Sequence, residues 1–187
     1  KGKEYVLSFT PNYDSSVTIE VHLTADVATS VTVNYPAIAP TFTTTVDVNP
    51  GAITTVSLPG TAAYGWTPDT VSDNSVSLTA NEEFVAYMIN LRSASSDAAL
   101  GLPIDVLNTQ YIVATYNEAF VAPQFIVTGV YDSTSVTITP SNDVVGHSAG
   151  VPFDVVLNKG EAILVSGTNL GIDGGLAGSI VSADKPV

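Results

Sequence analysis

The chain has 187 residues and a formal net charge of −13, and 12% of its residues are charged while 45% are apolar. The high apolar share excludes a disordered acidic tail, which has too few apolar residues to form a core. The negative charge disfavours nucleic acid and anionic membrane surfaces as partners. The sequence has no cysteine, which excludes disulfides and thiolate chemistry, and it has no apolar run long enough to span a membrane.

Short segments that alternate apolar and polar residues follow one another from the first residues onward. This period of two is typical of β-strands with one buried face. Clusters of Pro, Gly, Asn and Asp separate the segments and indicate turns. The strands predicted in the first half are Tyr5–Phe9, Val17–Leu23, Ser30–Asn34, Phe42–Val48, Ile53–Leu58, Ser75–Thr79 and Phe84–Leu91.

A connector is predicted next, at Ser93–Leu100, with at most a short helical turn. The alternating pattern then resumes in the second half. The strands predicted there are Tyr111–Tyr116, Phe125–Val130, Ser135–Thr139, Phe153–Leu157, Ala162–Val165 and Ser179–Ala183. Many short strands at regular spacing predict an all-β sandwich or barrel rather than alternating strands and helices.

The two halves resemble each other, with matching segments about 103–109 residues apart and in the same order. One example is Val46–Gly51, which matches Val155–Gly160, and both end in Asn-x-Gly. A hairpin loop of this kind needs a positive φ, which Gly adopts without strain. The sequence therefore predicts two tandem, internally repeated antiparallel β-sandwich units, at residues 1–95 and 96–187.

The second unit is predicted to lack its final strand. In the first unit Asn81 precedes the apolar strand Phe84–Leu91, whereas the matching strand of the second unit would begin at Val187, the last residue of the sequence. Proteins normally cover an open sheet edge. The expectation is that a downstream segment or another subunit supplies the strand.

Four stretches carry a resemblance to a known family: Gly2-Lys-Glu-Tyr5, Leu102-Pro-Ile-Asp-Val-Leu-Asn-Thr-Gln-Tyr111, Val156-Leu-Asn-Lys-Gly-Glu161 and Leu176-Ala-Gly-Ser-Ile-Val-Ser-Ala-Asp-Lys-Pro-Val187. At these stretches the sequence resembles the N-terminal domain of IgGFc-binding protein, which is found in mucus-associated and bacterial surface proteins. Asn108 departs from the pattern, where the family more often has Gly. The resemblance implies a secreted or cell-surface location and a ligand-binding or adhesive role within a larger protein.

Catalysis has one candidate, Gly146-His-Ser-Ala-Gly150, which fits the G-x-S-x-G pattern of a nucleophile elbow with Ser148 at its centre. Such an elbow needs a strand before it and a helix after it. Here Pro152 leads into a predicted strand, so a Gly-rich hairpin loop is favoured. The other histidine, His22, lies within a predicted strand, and no zinc-binding spacing is present. The chain is therefore predicted not to be an enzyme.

Two acidic loops are candidates for calcium. Calcium takes about six to eight oxygen ligands, and carboxylates, amides and backbone carbonyls supply them. The alternative is that these side chains form ordinary turns. The residues concerned are Asp69, Asp73, Asn169 and Asp173.

The best candidates for ligand contact are Tyr64 and Trp66, in a loop that contains Gly and Pro. Such aromatic residues stack on sugars or anchor a protein partner, although the pair can also pack onto the end of the sandwich. The predicted function is a non-catalytic adhesion or recognition module with a protein or glycan ligand. The alternatives are a subunit of an extracellular fibre assembled by strand donation and, third, a serine hydrolase that uses Ser148.

Overall fold

The computed structural model describes residues 1–116, 121–170 and 174–187. Its fold is all-β, with 49% strand and 4% helix and several antiparallel sheets, which confirms the predicted fold class. The chain forms two compact units, residues 1–65 with 73–107 and residues 66–72 with 108–187. The division of the sequence between residues 95 and 96 stays a prediction.

The described residues form fourteen strands, a four-residue helix and a 3-10 turn at Ile104–Val106. In chain order they are β1 (Gly2–Leu7), β2 (Thr18–Ala25), β3 (Thr29–Tyr35), β4 (Phe42–Val48), β5 (Thr54–Leu58), α1 (Thr61–Tyr64), β6 (Val71–Ser72), β7 (Val76–Arg92), β8 (Ser95–Leu100), β9 (Gln110–Ile112), β10 (Gln124–Thr128), β11 (Thr134–Thr139), β12 (Phe153–Leu157), β13 (Ala162–Ser166) and β14 (Ile180–Ala183).

The first unit is organised around β7, which is 17 residues long. The first part of β7 pairs with β1 and β3, and its second part pairs with β2 and β8, all antiparallel. Strand β4 extends the sheet beyond β3, and β5 extends it beyond β2. Residues from both parts of β7, including Leu78 and Phe84, belong to one core cluster. Both parts of this strand therefore contribute side chains to the same core.

The hydroxyl of Tyr5, within this core, is matched by a hydrogen bond. Tyr5, which is fully buried, stacks at a tilt on Phe84 with ring centroids 4.7 Å apart. Its hydroxyl donates to the carbonyl oxygen of Phe84 at 2.5 Å. Burial raises the pKa of Tyr5 to about 12, because the charged form is poorly solvated there. A buried hydroxyl without such a partner would cost about 1–3 kcal/mol.

The second unit has a four-stranded sheet, in the order β12-β11-β14-β9, and a three-stranded sheet, in the order β10-β13-β6. Its core includes Val127, Ile138, Leu157 and Val181. The short strand β6 comes from residues 66–72 and pairs with β13, with Val71 opposite Ile163. This pairing explains why a segment from the first half of the sequence belongs to the second unit.

Strand pairing in the two units follows the same scheme. Tyr5 of β1 lies opposite Leu78 of β7, and Tyr111 of β9 lies opposite Val181 of β14. The pairs β3–β4 and β3–β7 likewise correspond to β11–β12 and β11–β14. These correspondences are consistent with the predicted internal repeat.

The two Asn-x-Gly motifs have the predicted backbone at Gly, but neither loop closes a hairpin, because β4 and β5 are not paired with each other and β12 and β13 lie in different sheets. Gly51 has φ +74° and Gly160 has φ +87°. Both values lie in the left-handed region that Gly adopts without strain. The predicted positive φ is confirmed, whereas the predicted hairpin is wrong.

The connector predicted at Ser93–Leu100 is wrong. Ser95–Leu100 forms β8, which pairs with β7 from Arg92 opposite Ser95 to Tyr87 opposite Leu100. A segment rich in Ser, Asp and Ala has low intrinsic strand propensity, and here pairing with a long apolar neighbour overrides that propensity.

Candidate functional site

A tyrosine–arginine cluster, consisting of Tyr13, Asp14, Tyr64 and Arg92, lies in the first unit. Tyr13 and Asp14 belong to the loop between β1 and β2, whereas Tyr64 is the last residue of α1 and Arg92 is the last residue of β7. Arg92 and Asp14 are 78 residues apart in the sequence. Strand pairing therefore assembles the cluster from three distant segments.

Two amide side chains hold the loop that carries Tyr13. Asn90, which is 6% exposed, donates from Nδ2 to the carbonyl oxygen of Thr10 at 3.0 Å. Asn12 donates from Nδ2 to Oδ1 of Asn90 at 3.2 Å and to the carbonyl oxygen of Ser95 at 3.4 Å. These bonds hold the loop against β7 and β8 and therefore restrict the position of Tyr13.

The charges of the cluster are paired. Nη2 of Arg92 donates to Oδ2 of Asp14, and the guanidinium lies over the Tyr13 ring, with Cζ 4.9 Å from the centroid. Oδ1 of Asp14 accepts a hydrogen bond from the backbone N–H of Ser16 at 2.9 Å. The hydrogen bond from Arg92 and then that from Ser16 lower the pKa of Asp14 to about 2, because both favour the charged carboxylate.

The inner part of the cluster is buried. Burial raises the pKa of the Tyr64 hydroxyl above its ordinary value, because the charged form is poorly solvated there. Nε of Arg92 is buried and has no hydrogen-bond partner among the residues that the structure describes. Most buried polar atoms in proteins are hydrogen-bonded, so this unpaired N–H is an exception, and its burial keeps it from direct contact with a ligand.

The outer part of the cluster is open to solvent. Tyr13 is 58% exposed, and its ring is stacked on a guanidinium that is itself tied to a carboxylate. Tyrosine and arginine are enriched among residues that dominate protein–protein binding energy. A rigid tyrosine also loses little conformational entropy on binding. The arrangement is therefore suited to contact with another molecule rather than to catalysis.

The structure places Tyr64 and Trp66 in different units. Tyr64 belongs to the first unit and is part of the cluster described above, whereas Trp66 belongs to the second unit. Trp66 is 9% exposed and packs with Ala162, Leu164 and Ile126. This position leaves little of the indole surface for a ligand, and a ligand-binding role for the two residues stays a prediction.

The four residues predicted to bind calcium are not brought together as one set. Asp69 belongs to the second unit and Asp73 to the first. Asn169 is exposed, and Asp173 lies outside the described residues. Within residues 1–116, 121–170 and 174–187, no three or more His, Cys, Asp or Glu side chains are grouped to hold a metal ion. Calcium binding stays a prediction.

Asp69 has a partner that the sequence did not indicate. Its Oδ1 lies 2.8 Å from Nε2 of His147, and the His147 ring stacks on Phe153 with centroids 3.6 Å apart and planes 3° apart. The backbone N–H of Asp69 donates to the carbonyl oxygen of Leu164 at 3.0 Å. These contacts fasten residues 66–72 to the rest of the second unit. Asp69 and His147 are 78 residues apart, and no local sequence signal connects them.

Ser148 lies in a loop without the surroundings of a nucleophile elbow. Val144 and His147 exchange backbone hydrogen bonds of 3.0 and 3.1 Å in a tight turn. Ser148 follows it, exposed, and the next regular element is strand β12 rather than a helix. The backbone of the elbow, with a helix that follows the serine, is therefore not formed around this residue.

Comparison with known proteins gives one match. Residues 97–187 match the family described as IgGFc binding protein. The predicted resemblance is thereby confirmed for this segment, which is slightly less than half of the chain. The match indicates a protein-binding module of an extracellular type. No curated protein and no solved structure matches the chain. None of the helices in the described residues has the length and apolar character needed to cross a membrane.

Proposed function

We propose that the chain is a non-catalytic recognition module of a secreted or cell-surface protein, and that the tyrosine–arginine cluster contacts a protein ligand. The family match at residues 97–187 supports the extracellular binding role. The observation that carries the choice of site is Tyr13, which is 58% exposed yet stacked on a guanidinium that a salt bridge holds in place.

The physical argument rests on preorganisation. Binding costs conformational entropy for each flexible side chain that becomes ordered, about 0.5–1.5 kcal/mol. In the cluster, Arg92 is already bonded to Asp14, and Asn12 and Asn90 already hold the loop. A ligand that covers Tyr13 therefore orders little of this protein.

The test uses a panel of immobilised extracellular proteins that includes the Fc fragment of immunoglobulin G, the ligand named in the family description. We expect the wild-type chain to bind at least one member, and Tyr13→Ala to weaken that binding about thirtyfold, since loss of an aromatic anchor costs about 2 kcal/mol. The matched control is Tyr116→Ala, because Tyr116 is 87% exposed and lies in the other unit. Equal loss in both variants, or no binding to any member, contradicts the proposal.

A second candidate function, assembly by strand donation, is favoured by a difference between β2 and β10. In the first unit β2 lies between β5 and β7, and Ile19, Val21 and Leu23 are at most 1% exposed. In the second unit the corresponding β10 is at the edge of the three-stranded sheet formed by the described residues, and Phe125 is half-buried. A strand added beside β10 would cover this side of the core.

A further inference from the structure

The second part of strand β7, residues 84–91, is apolar on both of its faces. Phe84 and Ala86 face the core and are fully buried, whereas Tyr87 and Leu91 face outward and are 44% and 40% exposed. A strand of an antiparallel sheet with one face in solvent normally alternates apolar and polar residues. Apolar residues on both faces are typical of a strand that is covered on both sides.

The exposed side of β7 continues onto β8. Tyr87 lies opposite Leu100, and Ile89 lies opposite Ala98. Leu100 is 54% exposed. We call the outward-facing set the outer apolar face: Val85, Tyr87, Ile89, Leu91, Ala98 and Leu100. Contiguous apolar surface of this kind marks interaction sites in soluble proteins.

The free edge of β8 borders this face. The hydrogen bond of 2.8 Å from the Gly101 N–H to the Ala86 carbonyl oxygen sets the phase of pairing between the two strands. In an antiparallel pair the bonded positions alternate, so the N–H and C=O groups of Ala98 and Leu100 point away from β7. Within the described part of the chain, these groups have no hydrogen-bond partner.

The edge of β8 has few of the features that normally protect an edge strand. Proteins protect such edges with Pro, Lys, bulges or very short strands. Ser95–Leu100 has neither Pro nor Lys, and six consecutive residues pair with β7 without a bulge. Its one charge is Asp97, which is exposed on the face opposite to Ala98 and Leu100. This edge is therefore open to another strand.

Charge identifies the kind of strand that fits. The chain carries 18 acidic residues against five Lys and Arg, which disfavours a second copy of the same chain as the partner. A strand placed beside β8 would have every second side chain next to Ala98 and Leu100, and the others next to Asp97. Side chains of the added strand that lie next to Ala98 and Leu100 fit best if they are apolar, and those next to Asp97 fit best if they are basic.

We propose that β8 accepts an extended segment of a partner protein in which apolar and basic residues alternate, and that the segment continues the sheet at this edge. Backbone groups of Ala98 and Leu100 bond to the segment, as in other cases of strand addition. The apolar side chains of the segment enlarge the outer apolar face, and its basic side chains neutralise Asp97. The site shares no residue with the tyrosine–arginine cluster, so the two proposals fail or succeed separately.

The test uses the whole chain and two synthetic octapeptides, one that alternates Val with Lys and one that alternates Val with Glu. We expect wild-type protein to bind the Val/Lys peptide and to bind the Val/Glu peptide at least tenfold more weakly. The substitution Asp97→Lys is expected to reverse this preference, because it changes only the charge beside the added strand. Binding is measured by titration calorimetry, and folding by circular dichroism.

Two further variants locate the peptide. Ala98→Pro removes an outward N–H without loss of a bond to β7, and we expect it to weaken Val/Lys peptide binding about tenfold or more, equivalent to about 1.4 kcal/mol. Ala98→Lys places a positive charge on the edge strand and is also expected to weaken Val/Lys peptide binding about tenfold or more. Its matched control, Ala149→Lys, makes the same change in net charge at an exposed position of the second unit and is expected to bind as the wild type does.

Several outcomes overturn the proposal. One is equal affinity of wild-type protein and both Ala98 variants for the Val/Lys peptide, which would place the peptide elsewhere. Another is no binding of either peptide. A third is concentration-dependent dimerisation of the wild type in sedimentation experiments that Ala98→Pro abolishes, because it would identify a second copy as the occupant of the edge.

Discussion

At the scale of single residues, the ionisation of the Asp14 carboxylate makes the stability of the folded protein depend on pH. Its pKa in the folded protein is about 2, compared with an ordinary value of 3.8. A lowered pKa stabilises the folded state fully above the unfolded value, and this stabilisation is lost as the pH falls from about 4 to about 2. We expect Asp14→Asn to be less stable than the wild type at pH 6 and nearly as stable at pH 2.

The measurement is the free energy of unfolding in urea at pH 6, 4, 3 and 2. The difference between the two proteins is expected to shrink steadily below pH 4. The control is Asp26→Asn, since Asp26 is also an exposed acid but pairs with the N-terminal Lys1 rather than with Arg92. A difference between wild type and Asp14→Asn that stays constant from pH 6 to pH 2 would rule out the assigned cause.

Residue-level prediction from the sequence is limited by long-range contacts. The sequence predicts Tyr64 as a candidate for ligand contact because an aromatic residue in a loop with Gly and Pro is a visible local feature. Tyr13 and Arg92 carry no such local signal, since Tyr13 reaches Arg92 through the ion pair between Asp14 and Arg92, which are 78 residues apart. The Asp69–His147 contact is not predictable from the sequence for the same reason, since its two residues are 78 residues apart.

At the scale of elements, the alternating pattern identifies strands well where one face is buried. β2 has the regular burial pattern that its sequence predicts, with Ile19, Val21 and Leu23 inward. The pattern fails for β8, where most residues are exposed on both faces. There the strand exists because β7 supplies hydrogen-bonding groups along its edge, and this information is not contained in the six residues themselves.

The second candidate function is tested at the level of one strand. A peptide that copies Phe84–Leu91, with added terminal lysines for solubility, imitates the strand that lies beside β2 in the first unit. If β10 is an acceptor, the peptide is expected to raise the Tm of the chain in a concentration-dependent way, because a ligand that binds the folded state stabilises it. The control peptide has Pro in place of the residue equivalent to Ile89. This removes a central backbone donor that faces β2, because the bond from the Gly101 N–H to the Ala86 carbonyl oxygen means that Ala86 and Met88 face β8. Equal effects of the two peptides would exclude strand donation at β10.

At the scale of the whole molecule, the duplicated pattern in the sequence corresponds to two compact units with the same pairing scheme. The sequence predicts this organisation because hydrophobic patterning and turn glycines repeat at matching offsets. It does not predict that residues 66–72 belong to the second unit, since this assignment depends on β6 pairing with β13 and on Trp66 packing with Ala162 and Leu164.

The position of Trp66 makes it possible to observe the second unit alone. It is the single tryptophan of the chain and lies in the second unit, so its fluorescence reports the unfolding of that unit. Leu78 and Leu157 are both fully buried, one in the core of each unit. Their replacement by Ala is expected to destabilise the unit concerned by about 2–5 kcal/mol.

If each unit folds around its own core, Leu157→Ala is expected to shift the urea midpoint of Trp66 fluorescence. Leu78→Ala is expected to leave that midpoint unchanged and to shift only part of the transition that far-ultraviolet circular dichroism records. Such a separation is expected because compact units with independent cores unfold independently unless a large interface couples them. A single transition, at the same midpoint for both probes and shifted equally by both substitutions, would show that the two units unfold as one cooperative structure.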